Sequence, residues 1–183
     1  DDWCDRTMLK DMYRVASEHN LDLLITGFTI DTYYDDEGKY YRELRNAPDR
    51  IFESQEEFRA NTCQLFDAQL LYAPWNKLYR RSWVKENGLR FDEIPCGNDR
   101  GFYFRWLARA QAVSLLMDCG VCYQVKNRAA LTGNGRWRQL DSLFFAWRSA
   151  EQAMADQPPA VRAMLMDCSM TDLLAVARSA PEE

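Results

Sequence analysis

Two kinds of segment alternate along this sequence. In one kind, apolar residues recur at helical spacing; the other kind is rich in β-branched and aromatic residues. A first helix is predicted over residues 6–19 and a long strand over 21–34. A turn at 35–38 should then lead into a hairpin partner over 39–44. The apolar positions of the first helix are Met8, Leu9, Met12, Tyr13 and Ala16. Alternation of this kind predicts an α/β fold in which helices pack on a mixed sheet.

Local signals mark the boundaries of the next two helices. Ser54 and Glu57 form a capping box, which predicts that the second helix begins there, and Pro74 is expected to end it. Ser82 is predicted to cap a short third helix that stops at Gly88. The second helix should bury Phe58, Thr62, Leu65, Phe66 and Leu70.

The remaining elements are three helices and two strands. A loop over residues 91–97 precedes a fourth helix, and short strands are predicted over 113–117 and 121–125. A fifth helix should run through residues 140–147, and a sixth should open at 158–159, where two prolines suit a first helical turn. The fourth helix carries Phe102, Tyr103, Trp106, Leu107 and Ala110 on one face.

Length and composition limit the classes of protein that this chain can belong to. Its 183 residues give room for one main domain, which we expect over 1–135, with a helical C-terminal extension over 136–183. Hydrophobic residues make up 47%, which excludes a disordered chain. The net charge of -5, from 23 Lys plus Arg against 28 Asp plus Glu, argues against nucleic acid as a partner. A small anion needs only a local basic cluster and is not excluded.

Hydropathy and cysteine usage bear on the cellular location. No stretch approaches the roughly 20 apolar residues of a membrane span, so we predict no transmembrane helix. Six cysteines, mostly far apart, with no export signal, predict reduced thiols and a cytoplasmic protein, with peripheral contact at the inner face of the membrane allowed. Cys119 and Cys122 precede strand-like residues, and His19 is the only histidine, so neither a redox motif nor a zinc site is expected.

A series of motifs follows in a fixed order along the chain. It consists of Asp1-Asp2-Trp3, Leu21-Asp22-Leu23-Leu24-Ile25-Thr26-Gly27, Trp75-Asn76-Lys77-Leu78-Tyr79-Arg80-Arg81, Arg90-Phe91-Asp92-Glu93, Gly97-Asn98-Asp99 and Ala130-Leu131-Thr132. This order resembles the back half of a bacterial family-two glycosyltransferase with the GT-A fold. The resemblance covers residues 1 to about 140, and the segment 75–81 is its most specific part. It implies a partial GT-A domain of the Rossmann-like class, beginning at the acidic metal motif.

The first two residues are candidate metal ligands. Adjacent carboxylates at Asp1 and Asp2, just before a helix, suit a hard divalent cation, Mn or Mg, that binds a diphosphate. The alternative is an acidic pair that the helix dipole favours without any metal. By the resemblance, Asp1 is the second acid of an Asp-x-Asp motif. Because the chain opens inside that motif and has no initiator Met, we expect the natural protein to continue upstream.

Asp99 is the candidate catalytic residue. It stands at the start of an amphipathic helix, where a carboxylate could take the proton of an attacking sugar hydroxyl. The resemblance implies that Asp99 is the general base closing a Gly-Glu-Asp motif, with Asn98 in place of the Glu. The alternative from the residues alone is a plain N-cap, because Asp is among the preferred capping residues.

Trp75, Asn76 and Lys77 are candidate substrate-binding residues. An aromatic ring, an amide and a cation suit a wall that stacks on a sugar and holds a phosphate or hydroxyl. The alternative is a structural anchor with Trp75 in the core and Lys77 in solvent. Arg136 follows a glycine-containing loop that could close over a diphosphate, although the segment could equally start a helix.

These motifs together predict a glycosyltransferase, implied by the resemblance to be inverting. It would transfer a sugar from a nucleotide-sugar donor to a hydroxyl of a glycan or lipid-linked acceptor. As given, the chain would lack most of the nucleotide-binding half, so we expect weak nucleotide binding and self-association through uncovered apolar surface. The alternative is a non-catalytic carbohydrate-binding or interaction module.

Overall fold

The computed structural model describes residues 3–34, 39–94, 97–116, 121–126 and 140–178. The described strands are β1 Trp3–Cys4, β2 Leu23–Thr26, β3 Phe28–Tyr34, β4 Lys39–Arg45, β5 Arg50–Phe52, β6 Lys77–Tyr79, β7 Val113–Leu116 and β8 Val121–Lys126. The described helices are α1 Met8–Glu18, α2 Gln55–Asp67, α3 Arg81–Glu86, α4 Asn98–Leu107, α5 Leu140–Ala153 and α6 Pro159–Ala177. The predicted mixed α/β fold with packed helices is confirmed.

The chain divides into two compact units. The first comprises Asp1–Gly88 and Ala110–Asn127, and the second comprises Leu89–Arg109 and Arg128–Glu183. All described strands belong to the first unit, together with α1, α2 and α3. The second unit contains α4, α5 and α6. The boundary predicted at residue 135 stays a prediction.

Two four-stranded sheets build the first unit. One has the order β1-β8-β3-β4, and the other has the order β5-β7-β2-β6. In each sheet the two central strands run parallel, β3 with β8 and β2 with β7, and the outer pairings are antiparallel. The predicted hairpin is confirmed, because β3 pairs with β4 from Phe28 opposite Arg45 to Tyr34 opposite Lys39.

The prediction of one long strand over 21–34 is wrong, because these residues form β2 and β3 in two different sheets. All four positions of β2 are buried, as expected for a central strand covered on both faces. The residue types favour extended backbone throughout 21–34, but they carry no signal for the sheet that each part joins. Strand propensity therefore predicts the extended backbone and misses the break.

The first helix is confirmed in position but buries less than its spacing suggests. Met8 and Met12 are buried in α1, whereas Leu9 is 65% exposed and Tyr13 is 70% exposed. Only some of the apolar residues of α1 are thus buried within the first unit, and the others face solvent.

The capping box of α2 is confirmed. Ser54 Oγ accepts a hydrogen bond from the Glu57 backbone N at 3.1 Å, and Glu57 Oε2 accepts one from the Glu53 backbone N at 2.7 Å. The predicted end at Pro74 is wrong, because α2 ends at Asp67 and Gln69 adopts a left-handed backbone with φ of 61°. Of the five residues predicted to be buried by α2, Phe66 is only partly so, and Leu70 is buried beyond the helix end.

The predicted cap of α3 is also wrong. Arg80 occupies the N-cap position and makes no side-chain capping bond, while Ser82 lies inside the first turn. Gly88, predicted to stop the helix, has a left-handed backbone with φ of 60° after the last turn.

The second unit follows the predicted helices closely. On α4 the residues Phe102, Tyr103, Trp106 and Leu107 are buried. The prediction that they form one apolar face with Ala110 is wrong, because α4 ends at Leu107 and Phe104 is buried as well. The last helix begins at Pro159 with proline in its first turn, which confirms that prediction. α5 packs on both α4 and α6. None of the described helices is long and apolar enough to cross a membrane.

Candidate functional site

The predicted site residues form three groups: those outside the described residues, those in the first unit and one in the second unit. Asp1, Asp2 and Arg136 lie outside the described residues. Trp75, Asn76 and Lys77 belong to the first unit, on the loop between α2 and β6 and at the start of β6. Asp99 belongs to the second unit, in the first turn of α4.

Asn76 is fully buried and joins the end of β2 to the start of β6. Its backbone O accepts hydrogen bonds from the Thr26 backbone N at 2.9 Å and from Thr26 Oγ1 at 3.2 Å. Its side-chain Nδ2 donates to Thr26 O at 2.8 Å and to Leu70 O at 3.1 Å. These bonds extend the ladder between β2 and β6 by one residue and attach the loop after α2 to it.

Lys77 is buried with 8% of its surface exposed, and its ammonium points at the same loop. Lys77 Nζ donates hydrogen bonds to Leu70 O at 2.9 Å, to Ala73 O at 2.5 Å and to Asn76 Oδ1 at 2.7 Å. Burial lowers the pKa of Lys77 well below its usual value, because desolvation disfavours the charged form. The three acceptors match the three donors of an ammonium group, so Lys77 ties residues 70–73 to the strand.

Trp75 is the solvent-facing member of this group, with 38% of its surface exposed. Its ring meets that of Phe28 edge-on, with a centroid distance of 4.8 Å and an interplanar angle of 78°. The burial pattern is the reverse of the structural alternative, which placed Trp75 in the core and Lys77 in solvent. An aromatic face held this way can stack on a sugar ring. Substrate contact by Trp75, Asn76 and Lys77 stays a prediction.

The start of α4 carries Asp99 on an exposed turn. Gly97 is the N-cap residue, with a left-handed φ of 78° and no side-chain capping bond. The alternative in which Asp99 is the N-cap is therefore wrong: Asp99 lies two residues further on, and its backbone N donates to Asn98 Oδ1 at 2.8 Å. Among the described residues, none donates a hydrogen bond to the Asp99 carboxylate. The role of Asp99 as a general base stays a prediction.

Gly97 also fixes how closely α4 approaches α5. A Cβ at Gly97 would lie 3.3 Å from Ala146 Cβ and 3.4 Å from Leu143 Cδ2, both on α5. A side chain at this position would push α4 away from α5, and the left-handed backbone independently favours glycine. Glycine therefore serves both the turn that precedes Asp99 and the close packing beneath it.

Sequence reasoning missed the side chains that support α4. Asp92, in the loop before α4, forms an ion pair with Arg105 on α4, with Arg105 Nη2 at 2.6 Å from Asp92 Oδ1. Asp92 belongs to a motif that the sequence analysis singled out, Arg90-Phe91-Asp92-Glu93. The sequence did not indicate which residue the acids of this motif would contact.

A metal site was predicted at the two N-terminal acids. The described part of the chain contains no group of three or more His, Cys, Asp or Glu side chains that could hold a metal ion. Because Asp1 and Asp2 lie outside that part, binding of Mn or Mg by this pair stays a prediction.

Comparisons by sequence and by structure gave different results. No protein-family model matches the sequence, and no curated protein sequence matches it either. Three crystal structures of S. aureus TarS share the fold at low identity. The structure in complex with UDP-GlcNAc has a TM-score of 0.59 and 16% identity, covering 96% of this chain and 47% of that chain.

The other two TarS structures give the same result. The complex with UDP has a TM-score of 0.57 at 16% identity over 93% of this chain and 44% of that chain. A further TarS structure has a TM-score of 0.56 at 16% identity over 96% of this chain and 44% of that chain. The chain thus spans less than half the length of each of these three TarS structures. What the two proteins share is the fold.

Proposed function

We propose that this chain is the acceptor-side part of an inverting glycosyltransferase with the GT-A fold. It takes a sugar from a nucleotide-sugar donor and transfers it to a hydroxyl of a glycan or lipid-linked acceptor. The observation that carries the proposal is the shared fold over 96% of the chain with a protein that binds UDP-GlcNAc. The order of the motifs along the chain also supports it.

The ligands of TarS are informative about chemistry. UDP-GlcNAc is a nucleotide sugar, and UDP is what remains of it once the sugar has left. We therefore propose a nucleotide-sugar donor for this chain and take UDP-GlcNAc as the first donor to test.

The proposed chemistry is a direct displacement in which Asp99 moves the proton. The oxygen of the acceptor hydroxyl attacks the anomeric carbon of the donor sugar, and the bond from that carbon to the diphosphate breaks. The Asp99 carboxylate takes the hydroxyl proton as the new carbon–oxygen bond forms. Its exposed place at the start of α4, with no described donor on its oxygens, supports this role.

The donor diphosphate needs positive charge as it leaves. Paired carboxylates at Asp1 and Asp2 are the oxygen ligands that Mn or Mg takes, and we propose that they hold such a cation. When bound, the cation stabilises charge on the departing nucleoside diphosphate. Arg136 is proposed to contact the same diphosphate.

On the acceptor side, Trp75 is the residue proposed to touch the sugar. Its exposed ring offers an apolar face, while Asn76 and Lys77 hold the loop that carries it through bonds to Leu70 and Ala73. We propose that Asn76 and Lys77 contribute to substrate binding chiefly by fixing Trp75. Peripheral contact with the inner face of a membrane would suit a lipid-linked acceptor, and this location stays a prediction from the sequence.

The test is donor turnover by the full-length protein. Release of nucleoside diphosphate from UDP-GlcNAc and a panel of other nucleotide sugars is measured with Mn²⁺ or Mg²⁺, in the presence and absence of glycan acceptors. We expect release from at least one donor, and loss of that release with EDTA. Binding of glycans without turnover of any donor would overturn the proposal in favour of a non-catalytic carbohydrate-binding module.

A further inference from the structure

Asp92 lies in the loop before α4 and is joined to Arg105 in the last turn of that helix. Arg105 Nη2 is 2.6 Å from both carboxylate oxygens of Asp92. The two side chains are only 16% and 19% exposed for Asp92 and Arg105, respectively. Breaking such a pair leaves a charge in a poorly hydrated place, so the pair holds the loop firmly against the helix.

The same guanidinium has two further partners. Arg105 Nη1 donates a hydrogen bond to Arg90 O at 2.7 Å, and Arg105 Nη2 donates to Ser149 Oγ at 2.8 Å. Ser149 is part of α5, so one side chain connects the preceding loop, α4 and α5. Arginine suits this place because its planar fork presents several donors in fixed directions.

The Asp92 carboxylate also rests on the backbone at the start of α4. A Cβ at Gly101 would lie 2.3 Å from Asp92 Oδ2, a separation that real Cβ atoms do not adopt. Gly101 is two residues after Asp99, and its backbone N donates to Gly97 O at 3.3 Å in the first turn. Close approach of Asp92 therefore requires glycine here.

A ring contact reinforces this attachment. Phe91 stacks on Phe102 with a centroid distance of 4.2 Å and an interplanar angle of 15°. Phe91 directly precedes Asp92 in the sequence, and Phe102 directly follows Gly101, so the aromatic pair lies beside the polar contact. The first two turns of α4 are thus held at several points.

We propose that Asp92 is a positioning residue for Asp99. Through Arg105 in the last turn and Gly101 in the first turn it fixes α4 against the preceding loop, and so fixes where the Asp99 carboxylate meets the acceptor hydroxyl. This inference rests on the proposed function, in which Asp99 is the general base. Displacement of a catalytic group by about 1 Å can lower a rate by about 100-fold, so the support beneath Asp99 should affect turnover.

The test compares turnover with donor binding in the full-length protein. Asp92→Asn keeps the shape of the side chain but removes its charge, and Arg105→Lys keeps a charge but loses the fork. We expect each variant to lose about 10- to 100-fold in turnover of the donor identified above, with an unchanged Kd for that donor. Measurements are made at a temperature where circular dichroism shows both variants folded. If one variant does not fold, the other still decides.

The matched control is the ion pair between Arg50 and Glu57 in the first unit, where Arg50 Nη2 is 2.5 Å from Glu57 Oε1. Glu57→Gln neutralises one partner without changing its shape, as Asp92→Asn does. We expect Glu57→Gln to lower thermal stability and to keep turnover within about twofold of the wild type, because neither partner belongs to α4 or to the loop before it. Equal losses of turnover in Glu57→Gln and Asp92→Asn would overturn the positioning role, because general destabilisation would then explain both.

Asp99→Asn separates this inference from the proposed function. If Asp99→Asn keeps wild-type turnover, the general base is misassigned and the positioning role falls with it. If Asp99→Asn loses turnover while Asp92→Asn and Arg105→Lys keep it, the base stands and the positioning role alone is overturned. Loss in all three, with donor Kd unchanged, supports both.

Discussion

The loop before β6 and the first turn of α4 both contain polar residues that belong to a sequence motif. Asn76 and Lys77 are buried in the first region, and Asp99 is exposed in the second. Asn76 and Lys77 turn their polar groups inward onto Thr26, Leu70 and Ala73. Asp99 lies exposed in the first turn of α4, and Asp92 is the residue proposed to position it. A motif rich in polar residues can thus supply structure in one unit and a candidate reactive group in the other.

Burial decides which of these uses is open to a side chain. An ammonium removed from water must find acceptors, and once it has found three it has none of its donors left for a phosphate or sugar hydroxyl. A carboxylate on an exposed helical turn keeps its oxygens for a ligand.

Asp99→Asn should cause the largest loss. The variant keeps the size of the side chain and cannot accept the proton, so turnover should fall about 10²–10⁴-fold with donor Kd little changed. Since Gly97 is the N-cap residue, stability should be the same within about 0.5 kcal/mol. Asp99→Ala should behave alike. Retention of more than a tenth of wild-type turnover would remove Asp99 from the proposed reaction.

Lys77→Met should affect stability strongly. The change leaves Leu70 O, Ala73 O and Asn76 Oδ1 without the donor they now share, and each unsatisfied buried acceptor costs about 1–3 kcal/mol. Relief from burying a charge offsets part of this, so we expect a loss of about 3 kcal/mol in urea unfolding. Lys85→Met, at an exposed lysine on α3, is the control. Equal stability of the two variants would contradict a supporting role for Lys77.

The pH dependence of the free energy of unfolding tests whether the pKa of Lys77 is lowered in the folded protein. Its pKa is lowered by burial in the folded protein and returns to about 10.4 on unfolding. Between those two values the unfolded chain binds a proton that the folded chain does not, so stability rises with pH by up to about 1.4 kcal/mol per unit. The difference in unfolding free energy between wild type and Lys77→Met should therefore grow in this window. A constant difference would show that the pKa of Lys77 is not lowered.

Trp75→Ala should give the smallest effect. Stacking of a ring on a sugar contributes about 1 kcal/mol, so the KM for the acceptor glycan should rise about fivefold, and Trp75→Phe should recover part of the loss. Tyr13→Ala removes another exposed aromatic ring, on α1, and should leave KM unchanged. An unchanged KM in Trp75→Ala would limit Trp75 to its packing against Phe28.

Local rules predicted local features of this fold well. The cap at Ser54 and the start of α6 at Pro159 depend on residues within one helical turn, so the sequence alone indicates them. The break within 21–34 and the early end of α2 depend on contacts with distant segments. Propensity carries no information about those contacts.

The candidate site shows the same limit. Asp99 could be singled out from its place in a motif, but the partner of Asp92 is Arg105, thirteen residues away, and their contact depends on how the loop folds back on α4. The inward direction of Lys77 likewise depends on Leu70 and Ala73, which the sequence predicts to lie within the second helix but which follow its end at Asp67. Residue types thus indicated which residues are candidates for the site. Tertiary contacts then distinguish the residues that stabilise the structure from those whose polar groups remain exposed.

The most direct test of the contrast between the two regions is the turnover of Lys77→Met compared with that of Asp99→Asn. Both are measured on the full-length protein at a temperature where each variant is folded. The contrast predicts that Lys77→Met keeps more than about a tenth of wild-type turnover while Asp99→Asn loses about 10²-fold or more. A folded Lys77→Met that loses as much turnover as Asp99→Asn would contradict it, because the buried lysine would then take part in the reaction itself.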